Sequence, residues 1–499
     1  MPDVLHFTPS HIADARAVAS RLSASWINGR YYRDQSLEQM GIKSPYDDEL
    51  LTTVELATEA VVAAAAHAAR KALKGPWHTM PHAQRAQLLH ALATKVDEHR
   101  LELSLLESLD VGKPIQHAYN DDVPGTAAIF RWYAGLVETA YDIAPSRREG
   151  VLAQIVREPQ GVVGIVLPWN YPLITLALKI GPALAAGNTV VCKPADDTPL
   201  TTLRLAELAT EVGIPDGVIN VVPGTGPIAG KAIGLSQDIN AINFTGSTVT
   251  GRQFLRYAAD SNLKEISLEC GGKNPALILP DLKNLEGIAE DLCTGFLMNT
   301  GQVCSSISRI LAPRALEAHL RQILDDGMRS WPIGNPLNPN TRLGPLINDA
   351  QLAKVNRFIE QEKLQNNDFA VSQAAVDGES ARLVTPIVFY NVQDTSPVWR
   401  DEIFGPVAAV QFYDEFESAL GRANDTSYGL SAYIFGDDAR SVTRAAQEID
   451  AGIISVNAFT EGDLSTPFGG FKASGFGGKD KGLHSLDQYS RTKSIWWKL

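Results

Sequence analysis

Histidine is missing where a hydrolytic thiol or hydroxyl would need it: all ten His of the 499-residue chain lie outside residues 120–318. A papain-like site requires an imidazole to take the proton from its nucleophile. Residues distant in sequence can meet in space, but no His falls within any of the motifs described below. Cysteine is scarcer still, with Cys192, Cys270, Cys293 and Cys304 making up the full complement of four. Their spacing matches neither a zinc site nor a disulfide framework, so no metal is expected. A reducing compartment, the cytoplasm, fits that usage. No run of 18 or more apolar residues occurs, which a membrane-spanning helix needs. The opening residues Met1-Pro2-Asp3-Val4-Leu5-His6 lack the basic stretch and apolar run of a secretory signal, and none is expected. Basic residues are outnumbered, 44 Lys and Arg against 57 Asp and Glu, for a net charge of −13. A surface of that sign argues against non-specific binding to nucleic acid or to anionic lipid. Internal repeats and low-complexity segments are absent as well.

The rest of the composition is that of an ordinary globular protein, 44% hydrophobic and 20% charged, with 40 Gly and 28 Pro. The length suggests about three domain-sized units and a core that needs no staple. An amphipathic lead-in runs to the strand–turn signal Trp26-Ile27-Asn28-Gly29-Arg30. Residues 53–73 and 83–108 are rich in Ala and Leu at helical spacing. Gly and Pro in Val111-Gly112-Lys113-Pro114 break that pattern, and Asp121-Asp122 precedes a further helical run. On its own the acidic pair reads as charge complementing a helix N-terminus.

From residue 161 short apolar runs alternate with helical ones. Strands are expected at Val162–Leu167, Thr189–Pro194, Val218–Val222, Ile239–Phe244 and Lys264–Glu269, with helices between them. That alternation is the signature of a doubly wound parallel sheet. Such sheets bind ligands at the carboxyl ends of their strands. Asn170, Lys193, Gly246-Ser247 and Glu269 all fall at those ends. Past Gly271-Gly272 a second α/β unit begins, and the tail Tyr489–Trp497 alternates like a strand in need of a partner.

One stretch stands apart, Asn299-Thr300-Gly301-Gln302-Val303-Cys304-Ser305-Ser306, where a helical pattern has run out. Gly301 permits close approach of backbone to a substrate, and the small residues after Cys304 leave the sulfur reachable. A half-buried structural thiol is the plain alternative. Gly224-Thr225-Gly226-Pro227-Ile228-Ala229-Gly230 has a G-x-G-x-x-x-G spacing after the third strand, and serves equally as a turn. Phe244-Thr245-Gly246-Ser247 ends a strand and opens a helix, where backbone N–H groups can face an anion. Glu269 is either a general base in a cleft or a solvated strand end. Asn170 is either an oxyanion donor or a turn residue.

Pro168-Trp169-Asn170-Tyr171-Pro172, Lys193-Pro194, Phe244-Thr245-Gly246-Ser247, Leu268-Glu269-Cys270-Gly271-Gly272-Lys273-Asn274, Gly301-Gln302-Val303-Cys304 and Glu402-Ile403-Phe404-Gly405-Pro406 together resemble the aldehyde dehydrogenase superfamily. Order and spacing match across nearly the whole chain. The resemblance implies an α/β protein: a Rossmann-like doubly wound parallel sheet for NAD, a second α/β catalytic domain and a small β oligomerisation element. It places the first in residues 1–139 and 161–270, the second in 271–470 and the third in 140–160 and 485–499, as part of a homodimer or homotetramer. Cys304 is then the nucleophile, and Glu269 the base for the thiol or for the deacylating water. Asn170 and the Cys304 N–H form the oxyanion hole, and Lys193 holds the cofactor ribose at the catalytic centre. Glu402 meets the nicotinamide ribose, Gly246 and Ser247 the pyrophosphate, and Trp169 and Phe404 flank the cofactor. Val166, Leu167, Pro168, Gly226, Gly230, Phe244, Gln351 and Glu269 complete the implied cofactor contacts. Asp196 stands where many members carry Glu for the adenosine ribose; a carboxylate there repels a 2′-phosphate, which favours NAD while leaving NADP possible. Cys270 departs from the usual non-thiol neighbour of the base, as an oxidation-sensitive group or a small apolar filler.

Asp121-Asp122-Val123-Pro124-Gly125, Phe130-Arg131-Trp132-Tyr133-Ala134 and the stretch from Glu461 to Gly470 resemble one branch, the bacterial gamma-glutamyl-gamma-aminobutyraldehyde dehydrogenases of putrescine catabolism and their polyamine-aldehyde relatives. Asp121, Asp122, Glu461 and Asp463 become candidates for meeting a distal amine, with Tyr171 and Val303 lining the same path. Solvated surface carboxylates are the alternative. Other activities to separate are oxidation of neutral aliphatic or aromatic aldehydes, thiol esterase chemistry without redox, and a non-catalytic role.

Overall fold

Strand order in the first sheet is set by five parallel strands: β1 (Val162–Val166), β2 (Thr189–Lys193), β3 (Ile219–Val221), β4 (Ala241–Thr245) and β5 (Glu265–Glu269). In space they run β3-β2-β1-β4-β5, so the chain winds outward from β1 one way and then restarts on its other side. This is the α/β doubly wound, Rossmann-like arrangement, and the reversal between β1 and β4 opens a crevice at their carboxyl ends. The structure, a computed structural model, describes residues 5–139, 142–145 and 149–499.

β1 is buried at every position, as a strand covered by helices on both faces must be. Gly164 is required there, because an added Cβ would lie 2.7 Å from the Ile233 side chain. The helices Pro172–Ala185 and Leu200–Glu211 return the chain between successive strands. Two antiparallel additions extend the sheet. The hairpin Ser25–Ile27 and Arg30–Tyr32 turns through Asn28 and Gly29, both at positive φ, and pairs with β3. At the other edge Gly475–Phe476 pairs with β5.

The second sheet contains β6 (Asn274–Ile278), β7 (Ile307–Pro313), β8 (Ile387–Tyr390), β9 (Val407–Tyr413), β10 (Ser431–Phe435) and β11 (Ile453–Val456). Their spatial order is β8-β9-β7-β6-β10-β11, all parallel, with Phe369–Val371 antiparallel on β8. The chain leaves the first sheet at Glu269 and enters the second at Asn274, so the loop between them lies where the sheets meet.

The alternation expected from residue 161 onward is present, with ends shifted by a residue or two. The segment 53–73 differs: residues 53–55 belong to the strand Leu50–Glu55, and the helix begins at Glu59. Thr52 and Thr53 bring β-branching to a stretch whose Leu content suggested a helix. Asp121 and Asp122 sit in a π-turn, Ala118–Asp122, that runs directly into the helix Val123–Val137. Of the hairpin expected near residues 140–160, residues 140–141 and 146–148 lie outside the described residues. Val151–Pro159 pairs antiparallel with the tail strand Ser490–Lys498.

Candidate active site

The carboxyl ends of β1, β2 and β4 open into a cleft of about 830 Å³. A second cavity of about 370 Å³ lies on the other side of Cys304. Cys304 and Asn170 line both, so the sulfur stands at the junction of two chambers.

The backbone before the sulfur is unusual. Asn299 (φ +49°), Thr300 (φ +58°) and Gly301 (φ +71°) occupy the left-handed region in succession, a conformation that costs non-glycine residues free energy. At Gly301 a side chain would collide with the Gly405 carbonyl, so only glycine fits. Side chains hold the other two: Asn299 Nδ2 donates to Asn170 O (3.1 Å) and Thr300 Oγ1 to Gly344 O (2.9 Å). Behind the sulfur, Asn274 Nδ2 donates to Cys304 O (2.8 Å) and to Ser306 O (2.9 Å).

Asn170 is buried just past the end of β1, and its Nδ2 donates to Gln302 O at 2.8 Å. A primary amide has two N–H bonds, so the clasp orients the group and leaves one donor over. The Cys304 N–H donates to no acceptor among the described residues. Two donors of this kind beside one sulfur form an oxyanion-binding arrangement.

Glu269 ends β5, and both its carboxyl oxygens are buried without a hydrogen-bond partner. Burial, then the neighbouring Asp480, pushes its carboxyl well above the ordinary range, while Lys179 and Lys479 pull it back. A buried carboxyl lacking a partner is rare outside functional sites. Burial and the carboxylates of Glu461, Glu402 and Glu269 likewise push the Cys304 thiol well up. The resting sulfur is therefore protonated and needs a base.

Fourteen of the expected cofactor positions line the first cleft: Val166, Leu167, Pro168, Trp169, Lys193, Asp196, Gly226, Gly230, Phe244, Gly246, Ser247, Gln351, Glu402 and Phe404. Glu269, the fifteenth, lines the second cavity instead, its carboxyl packed against Gly469 and beside the charges of Asp480, Lys179 and Lys479. Lys193 is buried and donates to Pro194 O (2.9 Å) and to Asp196 Oδ1 (2.6 Å). Trp169 and Phe404 meet edge to face, centroids 5.2 Å apart. Phe404 is at φ +62°, and Gln351 Nε2 ties down its carbonyl at 2.7 Å. Glu402 accepts the Gly272 N–H at 3.0 Å, and a side chain at Gly271 would strike its carboxylate. The Gly246 N–H is not free for an anion: it donates to Glu269 O at 3.0 Å. Ser247 caps the helix Thr248–Ala259 by accepting the Thr250 N–H. The Gly226–Gly230 segment is a π-turn on the cleft wall.

The second cavity takes its walls from Asp121, Asp122, Tyr171, Val303, Glu461 and Asp463, the six expected substrate positions. Their charges are not equivalent. Asp122 is ion-paired with the buried Lys113, which also donates to Glu107 at 3.2 Å. Asp122 is thus not a solvated helix cap, and it shares the Lys113 charge with Glu107, whereas Asp121 keeps an exposed surface. Asp121 forms no ion pair among the described residues, and burial and Asp122 push its carboxyl up to about 6. Glu461 accepts a hydrogen bond from Ser305 Oγ and pairs with Lys481 at 3.6 Å. Asp463 is exposed and accepts the Ser465 N–H at 2.8 Å. Lys113 also lies 3.8 Å from the Tyr171 ring centroid.

Sequence reading missed the residues around Glu269 and along the tunnel. Lys179 and Asp480 form a buried ion pair at 2.8 Å across 301 positions. His117 lines the tunnel with Nδ1 unpartnered, its imidazolium disfavoured by burial and pushed down to about 4. The run Lys479-Asp480-Lys481 after a Gly-rich hairpin was the one available signal. Cys270 is buried in an apolar cluster and borders both cavities, and burial, then Glu269, pushes its thiol up to about 12.

Residues 31–495 match the aldehyde dehydrogenase family. The aminoacetaldehyde dehydrogenase of Pseudomonas aeruginosa is 45% identical over 91% of each chain. The NADP/NAD-dependent aldehyde dehydrogenase PuuC of Escherichia coli is 39% identical over 97% of this chain and 96% of its own. The NAD+ complex of the Bacillus cereus aldehyde dehydrogenase superposes with a TM-score of 0.93 at 36% identity, over 99% of both chains. The chain belongs to the aldehyde dehydrogenase family and is an NAD(P)-dependent aldehyde dehydrogenase.

Proposed function

We propose that this enzyme uses NAD to oxidise an amino- or gamma-glutamylamino-aldehyde of the kind formed from putrescine. The carrying observation is that Cys304 joins a cofactor cleft to a tunnel lined by carboxylates, of which Asp121 forms no ion pair among the described residues. A short cationic aldehyde is drawn to such a tunnel by charge, at separations where opposite charges attract strongly. The relatives named for aminoacetaldehyde and as PuuC support that reading.

The cleft fits a dinucleotide on its own chemistry. It lies at the topological switch point, glycines leave its floor open, and Thr245 Oγ1 is buried there without a partner. Lys193, Glu402 and the Trp169–Phe404 pair would hold the group, with Gly246 shaping the floor and Ser247 holding the helix that borders it. The Asp196 carboxylate repels a 2′-phosphate, which is the basis for preferring NAD to NADP.

Glu269, or a water held by it, takes the Cys304 proton as the sulfur adds to the carbonyl carbon. The resulting oxyanion of the thiohemiacetal is met by the spare Asn170 N–H and the Cys304 N–H. Donors so placed are worth roughly 100- to 1000-fold in rate. Bound NAD+ supplies a hydride acceptor. Glu269 passes the first proton to solvent; water then attacks the thioester left on Cys304 and gives a proton to Glu269, the C–S bond breaks, and the sulfur takes that proton back as the carboxylic acid departs.

The deep wall of the tunnel is apolar, with Ile129, Ile174, Leu178 and Phe468, which favours neutral aldehydes as the second reading. Comparing kcat/KM for 4-aminobutyraldehyde and for a neutral aldehyde of equal length, with each cofactor, separates the two. Equal values defeat the aminoaldehyde reading. We further infer the three-part division given above and a homodimer or homotetramer through the Val151–Pro159 and Ser490–Lys498 ribbon, which exposes Trp496 and Trp497. A cytoplasmic setting accords with four unpaired cysteines. Among the described residues no helix is long and apolar enough to cross a membrane.

A further inference from the structure

Glu461 is placed differently from the other tunnel carboxylates. Asp122 is matched by Lys113 and Asp480 by Lys179, both at buried contacts. Asp463 is turned to solvent and its own loop. Glu461 alone reaches back to the nucleophile's loop, accepting a hydrogen bond from the hydroxyl of Ser305, the residue after Cys304. Tyr433 OH fixes the other side of that residue by donating to Ser305 O at 2.7 Å. The cation available to Glu461 is Lys481, at a loose 3.6 Å. The Glu461 carboxylate therefore stands in the same chamber as the sulfur with its charge incompletely offset.

We propose that Glu461 couples recognition of the substrate to readiness of the nucleophile: a cationic group entering the tunnel offsets the Glu461 charge and so frees the Cys304 sulfur to act. Glu461 is in this view a positioning residue, acting through Cys304. The proposal rests on the reading of the tunnel as a binder of cationic aldehydes. Its physics is that of a like charge beside a group that must become an anion. The ionisable groups facing Cys304 are Glu461, Glu402 and Glu269, together with Tyr171 and Tyr433, and those facing Glu461 are Lys481, Tyr171, Tyr433 and Cys304 itself. Of the carboxylates that push the thiol up, Glu461 contributes most. An ammonium group beside Glu461 reverses that contribution at the moment a suitable aldehyde arrives. Without such a group the sulfur rests as a thiol, which is less exposed to oxidants and stray electrophiles.

The test follows alkylation of Cys304 by iodoacetamide in the full-length enzyme without cofactor, across pH 6–9. Propylammonium serves as the cationic probe and 1-propanol as its neutral counterpart, so that any shielding by bulk is common to both. In the wild type the propylammonium rate should exceed the propanol rate several-fold. In Glu461→Gln, which keeps an acceptor for Ser305, alkylation at pH 7 without probe should rise roughly tenfold, its pH midpoint should fall, and the propylammonium-to-propanol ratio should collapse to one. Lys481→Met should do the opposite and slow alkylation, because Glu461 loses its partial counterion. Two opposite responses from one ion pair are not expected of general loosening. Unchanged alkylation in Glu461→Gln across the pH range overturns the coupling, as does a probe ratio that the substitution leaves intact. A ratio of one in the wild type, with Glu461→Gln still faster, instead overturns the reading of the tunnel as a cation binder.

Discussion

The cofactor cleft is a backbone scaffold carrying side chains such as Lys193 and Glu402, whereas the tunnel is set by how its side chains pair. In the cleft, strand ends, glycines and a capped helix set the shape, and Glu402 is held by a main-chain N–H. In the tunnel, segments near residues 117–129, 171–178 and 461–481 converge, and buried ion pairs decide which carboxylates remain charged toward the ligand. A backbone-built cavity suits a cofactor common to many reactions. A cavity built from side chains can be retuned residue by residue, which suits the part that selects the aldehyde.

That contrast can be broken most severely at the junction. Cys304→Ala should reduce aldehyde oxidation by at least about 10,000-fold while binding NAD+ normally by fluorescence titration; residual activity near wild type would end the account. Glu269→Gln should cost roughly 100- to 10,000-fold in kcat, and the rise of deacylation with pH should disappear. The same substitution has a signature in stability. The folded carboxyl holds its proton above the ordinary carboxylate range, so the folded state binds more protons than the unfolded one. Stability contributed by the protonated form is thus lost as pH rises through that window. Thermal melts of Glu269→Gln should lack this decline and exceed the wild type at neutral and higher pH. Asn170→Ala should lower kcat by roughly 100- to 1000-fold, measured at saturating aldehyde and NAD+.

Smaller effects sharpen the contrast within each cavity. Asp121→Asn should reduce the preference for an aminoaldehyde over its neutral counterpart by roughly tenfold, through KM more than kcat, and leave NAD+ affinity untouched. Asp196→Ser should narrow the NAD to NADP preference by a few-fold, leaving the aldehyde preference as it was. An Asp121 substitution that changed cofactor choice would show the two cavities to be less independent than their construction implies.

The parts legible in the sequence were those that local pattern dictates. β1 announces itself as an unbroken apolar run, and Asn170, Lys193 and Glu269 were found because each follows such a run. The nucleophile's loop was legible through Gly301, whose positive φ and contact with Gly405 admit no other residue. Charge pairing was not legible. Nothing adjacent to Asp122 says that Lys113 will pair with it and with Glu107 while Asp121 is left without an ion pair among the described residues, and the Lys179–Asp480 pair spans 301 positions. Residues 53–55 differ from the expected helix because they are β-branched at Thr53 and Val54 and pair with Gln39–Gly41, which makes them the end of a strand. The Gly246 N–H was expected to be free because a helix start usually offers such groups; its partner, Glu269 O, comes from the adjacent strand.

The strand that carries the catalytic base is completed late. β5 has β4 on one side, and its other neighbour is Gly475–Phe476, with Cys270 N donating to Ser474 O at 2.8 Å. During synthesis on the ribosome, some 200 residues of the second unit emerge before that covering segment does. Throughout that interval the nascent chain carries an open β edge next to Glu269, the kind of edge that recruits neighbouring chains. Chaperone dependence and inclusion-body formation in prematurely terminated products should therefore trace to the few residues around position 475 and not to the larger mass of the second sheet.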